Sequence, residues 1–218
     1  MKFLAAATLI ASGLMATTAF AARQNGSWYA GISGDVSTLN STNVTGATAG
    51  DNLKYKFSSG GNVAVGYEPQ MFNNGTGDVR LEVEGGYHAF GLKDVTAGGV
   101  ENTSPNGDLR VATLMGNVYY DLHNSTSLTP YIGAGAGDAQ INFAKNNGFG
   151  ATTSSDNRFA YQFMAGVSYT MPSMPKVDWS LGYRFLGTTS PQFTTTTGDI
   201  KLDAIHASNA EIGLKYHF

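Results

Sequence analysis

Residues 78–91 read DVRLEVEGGYHAFG, and the stretch sorts by parity. Val79, Leu81, Val83, Tyr87 and Ala89 fall on one side. Arg80, Glu82, Glu84, Gly86 and His88 fall on the other. A period of two marks a strand with one apolar face, because successive side chains leave opposite sides of the backbone. Working outward, the same alternation predicts eight strands: Ser27–Ser37, Gly60–Glu68, Asp78–Gly91, Leu109–Leu122, Pro130–Asn142, Arg158–Met171, Val177–Gly187 and Ala210–Phe218. Their connections alternate in length. Residues 39–55, 93–108, 144–157 and 188–204 are long and rich in Thr, Ser, Asn and Gly, whereas 69–77, 123–129 and 172–176 are short. That rhythm predicts an up-and-down antiparallel meander with short turns and both termini at one end and four long loops at the other.

The first residues address compartment. Lys2 precedes an apolar run from Phe3 to Met15, and Ala19-Phe20-Ala21 offers a small-x-small cut site. This is the pattern of a secretory signal peptide over residues 1–21, with cleavage after Ala21 and a mature domain over 22–218. Losing Lys2 leaves 12 Lys and Arg against 16 Asp and Glu, a formal charge of −4. The balance lacks the basic footprint of a nucleic-acid binder. The chain has no Cys, charged residues are only 13%, and Gly is 28 of 218 residues. Beyond the leader no apolar run is long enough for a transmembrane helix.

An exported chain that is poor in charge and built of alternating strands has two barrel solutions. A soluble, lipocalin-like barrel turns its apolar face inward. A transmembrane barrel turns it outward. The polar face here is crowded with Gly, Ala and Ser, which suit a narrow filled lumen. On the apolar face, Trp28, Tyr67, Tyr120, Tyr169 and Trp179 sit near strand ends, as in interfacial aromatic girdles. The expected fold is therefore all-β, an eight-stranded antiparallel up-and-down transmembrane β-barrel. Arg80, Glu82, Glu84, Arg184, Glu211 and Lys215 are expected to point inward and pair there, since a cation facing lipid at mid-depth costs roughly 2–4 kcal/mol.

Four stretches, LMGNVYYDLHNSTSLTPYIGAGAG (114–137), FAYQFMAGVSY (159–169), DWSLGYRFLG (178–187) and the terminal GLKYHF (213–218), together resemble the opacity-type porin and surface-antigen family of Gram-negative bacteria. The resemblance runs from Trp28 to Phe218 and lies in the order and spacing of the strands. It implies an eight-stranded outer-membrane barrel with four exposed loops and outer-membrane lipid as its surroundings. It also implies that Tyr216 and Phe218 belong to a C-terminal signal read by the barrel-assembly machinery. Family members are surface antigens, some of them adhesins or minor porins, so host or extracellular partners are expected at the loops 39–55, 93–108, 144–157 and 188–204. No cofactor is implied.

One segment carries candidate chemistry. His206-Ala207-Ser208-Asn209-Ala210 resembles the His-x-Ser-Asn-Ala segment of outer-membrane lipid A deacylases. A serine nucleophile needs a base, and the base needs an orienting acid. In those enzymes the acid follows on a further strand, and here the sequence ends at Phe218. Glu211 has the opposite parity, and Asp203 falls in a loop. The expectation is an ordinary passage from loop to strand and no catalysis. Gly133, Gly135 and Gly137 do not have phosphate-loop spacing and read as room for large lumen neighbours. Four scattered His without Cys do not form a metal motif.

Overall fold

A computed structural model of the chain describes residues 26–39, 42–45, 52–55, 58–69, 76–97, 100–102, 108–122, 126–143, 154–190, 192–195 and 198–218. The leader expected over residues 1–21 lies outside them. Among the described residues every regular element is a strand. Eight of them form the wall: β1 (Ser27–Leu39), β2 (Ser58–Glu68), β3 (Gly77–Ala97), β4 (Asp108–Leu122), β5 (Leu128–Phe143), β6 (Ser154–Thr170), β7 (Val177–Thr188) and β8 (His206–His217). Each pairs antiparallel with its chain neighbour, and β8 returns to β1 from Tyr29↔His217 to Leu39↔Ala207. The sheet is closed, which leaves the wall no edge.

The pairing also sets the shape. From Trp28, directly paired residues lead through Tyr67, Leu81, Val118, Ala134, Phe163, Phe185 and Ser208 and arrive at Thr38, ten positions up the strand it left. Eight strands with a shear of ten tilt by about 40°, given a rise of about 3.3 Å per residue and a spacing of about 4.8 Å.

Apolar side chains on this wall face outward. Ile32, Val63, Val83, Ile132, Phe163, Leu181 and Ile212 are all more than half exposed, while Arg80, Glu82, Glu84 and Arg184 are buried in the lumen. This is the inverse of a lipocalin arrangement, and it presents to lipid the only surface that lipid tolerates.

The strands run further than hydrophobic alternation suggests. β3 continues to Ala97 and β8 begins at His206, and the long loops hold short strands at 42–45, 52–55, 100–102, 192–195 and 198–202. These join side by side: 192–195 with 198–202, 198–202 with 42–45, 42–45 with 52–55, and 52–55 with the upper part of β3, which also pairs with 100–102. Backbone pairing continues past the lipid, whereas the apolar alternation ends with it. Stretches such as GLKDVTA (91–97) and QFTT (192–195) therefore lack the signal that betrays the strands below.

Val63, outward at mid-wall between Ile32 and Gly85, gives the sharpest test of the lipid face. Val63→Arg is expected to cost roughly 2–4 kcal/mol of folding stability in lipid. Thr189→Arg, exposed just past the end of β7, is expected to be near neutral. Urea unfolding midpoints in vesicles, read by heat-modifiable gel migration, check both.

Candidate functional site

The lumen side chains meet by a recurring device. A glycine on β2 or β5 stands between two large residues in one cross-strand row, so side chains two strands apart reach each other over it. Tyr29, Gly66 and Glu82 form such a row, and the Tyr29 hydroxyl donates to Glu82 at 2.8 Å. In the row Asp35, Gly60 and His88, Asp35 Oδ2 and His88 Nε2 are 2.9 Å apart. Asn117, Gly135 and Gln162 repeat the pattern, with Gln162 donating to Asn117 at 2.7 Å. Across Gly133, Tyr119 packs with Met164 and Tyr131. A β-carbon at Gly66 would overlap the Tyr29 ring, and one at Gly133 would overlap Tyr119. The tube is too narrow for side chains on every strand at one level.

Three polar groups stack along the lumen. At the turn end, Arg80 holds Asp121 through two bonds of 2.8 and 3.0 Å, with its guanidinium carbon 4.1 Å from the Tyr119 ring centre. Beside it, His217 Nε2 lies 2.9 Å from Asp178, and Lys215 lies 3.9 Å from the same carboxylate. In the middle, Glu82 accepts from Tyr29, Asn117 and Tyr119. Arg184 clamps two acids. Its Nη2 donates to Glu84 at 2.7 Å and lies 2.7 Å from Glu211 Oε2, its Nη1 also contacts Glu84, and Gln162 donates to Glu84 from the side. The Glu211 contact is an ion pair without hydrogen-bond alignment. Above lies the Asp35–His88 pair, with Ser37 donating to Asp35 at 2.7 Å. Phe90, Val111, Ile141 and Leu186 then close the loop end as a buried apolar stopper.

Of the six charges singled out in the sequence, all face the lumen, but they split between groups. Glu84, Arg184 and Glu211 meet directly. Arg80 pairs mainly with Asp121 and lies 3.8 Å from Glu82. Lys215 sits apart with Asp178 and with Ser168, 3.4 Å from its hydroxyl. Sequence reasoning did not assign Asp35, Asp121, Asp178, Asn117, Gln162, Tyr29 or Tyr119 to the network. Their lumen parity was the available signal, and rows spaced by glycine are what reveals their partners.

The aromatic residues of the outer face occupy one end. Trp28, Tyr67, Tyr120, Tyr169 and Trp179 all stand within three residues of the turn-end terminus of their strands, and the Trp28 and Tyr67 rings are 5.0 Å apart. All five therefore lie at the turn end of the outer face. A second aromatic group, Tyr161, Phe163, Phe185 and His206, lies toward the loop end on β6 to β8, with ring centres 5.7 to 6.3 Å apart. Tyr216 and Phe218 meet edge to face at 5.6 Å, and the Phe218 amide donates to the Trp28 carbonyl at 3.0 Å.

His206 and Ser208 share the outward face but have different partners. The His206 ring stacks on Phe185, while Ser208 Oγ accepts from the Tyr183 hydroxyl at 2.9 Å. Glu211, the nearest strand carboxylate, is turned inward to Arg184. Both residues lie within β8, not in a passage leading to it. Among the described residues there is no group of three His, Asp or Glu that could hold a metal.

Residues 7–218 match the family model described as outer membrane protein beta-barrel domain. The chain is 34% identical over 188 residues to outer membrane protein PagN of Salmonella typhimurium, covering 79% of this chain and 77% of that protein. An uncharacterised Brucella abortus protein is 41% identical over 96 residues, 37% of this chain and 31% of that protein. Among solved structures, Neisserial surface protein A aligns with a TM-score of 0.56 at 15% identity, covering 89% of this chain and all of that one. OprG of Pseudomonas aeruginosa aligns at 0.55 and 12%, covering 89% and 98%. At such identities these two likenesses are of fold.

Removing the clamp tests the lumen. Arg184→Leu strands two buried carboxylates and is expected to lower stability by about 3–5 kcal/mol. Gly66→Val, which drives a side chain into Tyr29, is expected to cost about 1–3 kcal/mol. Urea midpoints of the refolded barrels in vesicles measure both.

Proposed function

Because the chain belongs to the outer-membrane β-barrel family and resides in the outer membrane of a Gram-negative bacterium, we propose that it is a non-catalytic surface protein that engages an external partner through its loops. The observation that carries this reading is the ribbon formed by loop segments 42–45, 52–55, 192–195 and 198–202, which extends the wall beyond β3. Two loops distant in sequence are thereby held in one sheet, a presentation suited to binding over a rigid scaffold. The lumen supports the same reading from the other side. Its charges bond to one another and its loop end is stopped by apolar side chains, so it is not laid out as an open diffusion pore.

Export by a leader cleaved after Ala21, recognition of Tyr216 and Phe218 by the barrel-assembly machinery, and a belt of Trp28, Tyr67, Tyr120, Tyr169 and Trp179 seated in the inner-leaflet interface complete the proposal. In this reading Arg80, Glu82, Glu84, Arg184, Glu211 and Lys215 hold the barrel together and do not bind ligand. Against the deacylase alternative, His206 stacks on Phe185 and Ser208 bonds to Tyr183, so the two engage different partners.

Adhesion of whole bacteria to cultured epithelial cells tests the role. Cells displaying the intact barrel are expected to adhere more than cells lacking it. Replacing residues 42–55 and 192–202 by short Gly-Ser turns is expected to remove the difference while heat-modifiable migration persists. Equal adhesion by the loop-shortened barrel would sink the proposal, and lipid A deacylation by the purified protein that Ser208→Ala abolishes would replace it.

A further inference from the structure

The outward face of β8 carries a trough. Ala210 stands directly between Tyr183 of β7 and Val36 of β1, which are 52 and 56% exposed. One row nearer the loops, Ser208 stands between Phe185 and Thr38. A small side chain between two larger ones leaves a hollow, and this one opens toward lipid. Ile212, also exposed, bounds it toward the turns. His206, stacked on Phe185, bounds it toward the loops. Hydroxyl groups collect at the upper end. The Tyr183 hydroxyl donates to Ser208 Oγ at 2.9 Å, and Thr38 Oγ1 donates to the Ser208 carbonyl at 3.4 Å. Accepting from Tyr183 leaves Ser208 its own proton to donate.

The shear gives the depth of this trough. Ten residues of strand, at about 3.3 Å each and tilted by about 40°, climb about 25 Å from Trp28 to Thr38. Ser208 comes one of eight pairing steps before Thr38, so it sits about 22 Å above Trp28. The apolar band of an outer-membrane barrel is about 25 Å tall. With Trp28 at the inner interface, Ser208 lies just inside the outer edge, where acyl chains meet their ester carbonyls. His206, two residues along, sits about 5 Å higher, at the level of lipid head groups. A hydroxyl proton in hydrocarbon is unfavourable without an acceptor. An ester carbonyl is the acceptor that this depth supplies.

We propose that the trough on β8 binds one molecule of lipid A from the outer leaflet and holds it intact. One acyl chain lies over Ala210 between Tyr183 and Val36, its ester carbonyl accepts from Ser208, and the sugar phosphate lies toward His206. The height of the trough selects the occupant. It opens at the loop end of a chain that resides in the outer membrane, so the outer leaflet covers it and inner-leaflet lipid does not reach it. Ser208 is engaged by a phenol, not by His206, so it is a donor to the ester and not a nucleophile. The trough lies on the wall, apart from the loop ribbon, and stands or falls independently of adhesion.

Native mass spectrometry of the barrel released from lipid nanodiscs counts what it retains. The nanodiscs are phosphatidylethanolamine with a small mole fraction of hexa-acylated lipid A. Ser208→Ala removes the donor, and Ala210→Leu fills the trough. Tyr87→Phe removes a hydroxyl exposed on β3 at about the same height and serves as the control. Heat-modifiable migration confirms that each variant is folded. The intact barrel and Tyr87→Phe are expected to retain one lipid A of unchanged mass. Ser208→Ala is expected to retain about threefold less or lower, as loss of one hydrogen bond implies, and Ala210→Leu none. Undiminished retention by either trough variant, or retention of phosphatidylethanolamine in place of lipid A, overturns the site. Bound lipid A that has lost an acyl chain overturns intact holding in favour of hydrolysis.

Discussion

Backbone closure is the constraint from which the rest of this molecule follows. Hydrocarbon offers nothing to an unpaired amide or carbonyl, so a membrane-spanning sheet must have no edge. Here the pairing of β1 with β8 meets that demand from Tyr29↔His217 to Leu39↔Ala207. Closing eight strands with a shear of ten then sets the tilt, and the tilt sets the bore. Every lumen side chain must fit the resulting tube, and every outward one must suit lipid.

The bore is too small for a large residue on each strand at one level. Glycines at 60 and 66 on β2 and at 133 and 135 on β5 yield their places, and residues on the flanking strands bond across the first, second and fourth and pack across the third. Spacing by glycine converts a sterically crowded tube into a connected polar network. A buried charge is tolerable only when paired and hydrogen-bonded. Arg184 illustrates the arrangement, because one guanidinium holds acids from two other strands, Glu84 of β3 and Glu211 of β8. The Glu84 contact ties together β7 and β3, which are not neighbours in the wall, so the network resists distortion of the barrel as a whole.

Outside the lipid the governing physics changes. Water can satisfy backbone groups, so pairing there is optional. The chain nevertheless continues it, bringing loop segments 42–45 and 198–202 together at Thr45↔Lys201 and Val44↔Leu202. The barrel is therefore asymmetric along its axis. One end carries short turns and the outward aromatic residues from Trp28 to Trp179, and the other carries a sheet-like extension of the wall and buried apolar side chains in the lumen.

Strand number, the outward apolar face, the lumen placement of Arg80, Glu82, Glu84, Arg184, Glu211 and Lys215, and the end at which the long loops lie were all determined by the sequence. Each follows from residue parity and spacing, which are local properties of a strand. Partner choice was decided only by the tertiary structure. Nothing local to Arg184 distinguishes Glu84 or Glu211 from Glu82, and nothing local to Asp35 points to His88. Those pairings depend on register, shear and the glycine rows, which exist only once β1 has met β8. The loop ribbon was hidden for a related reason: its strands lie above the lipid, where no one-sided apolar environment imprints a period of two on the sequence.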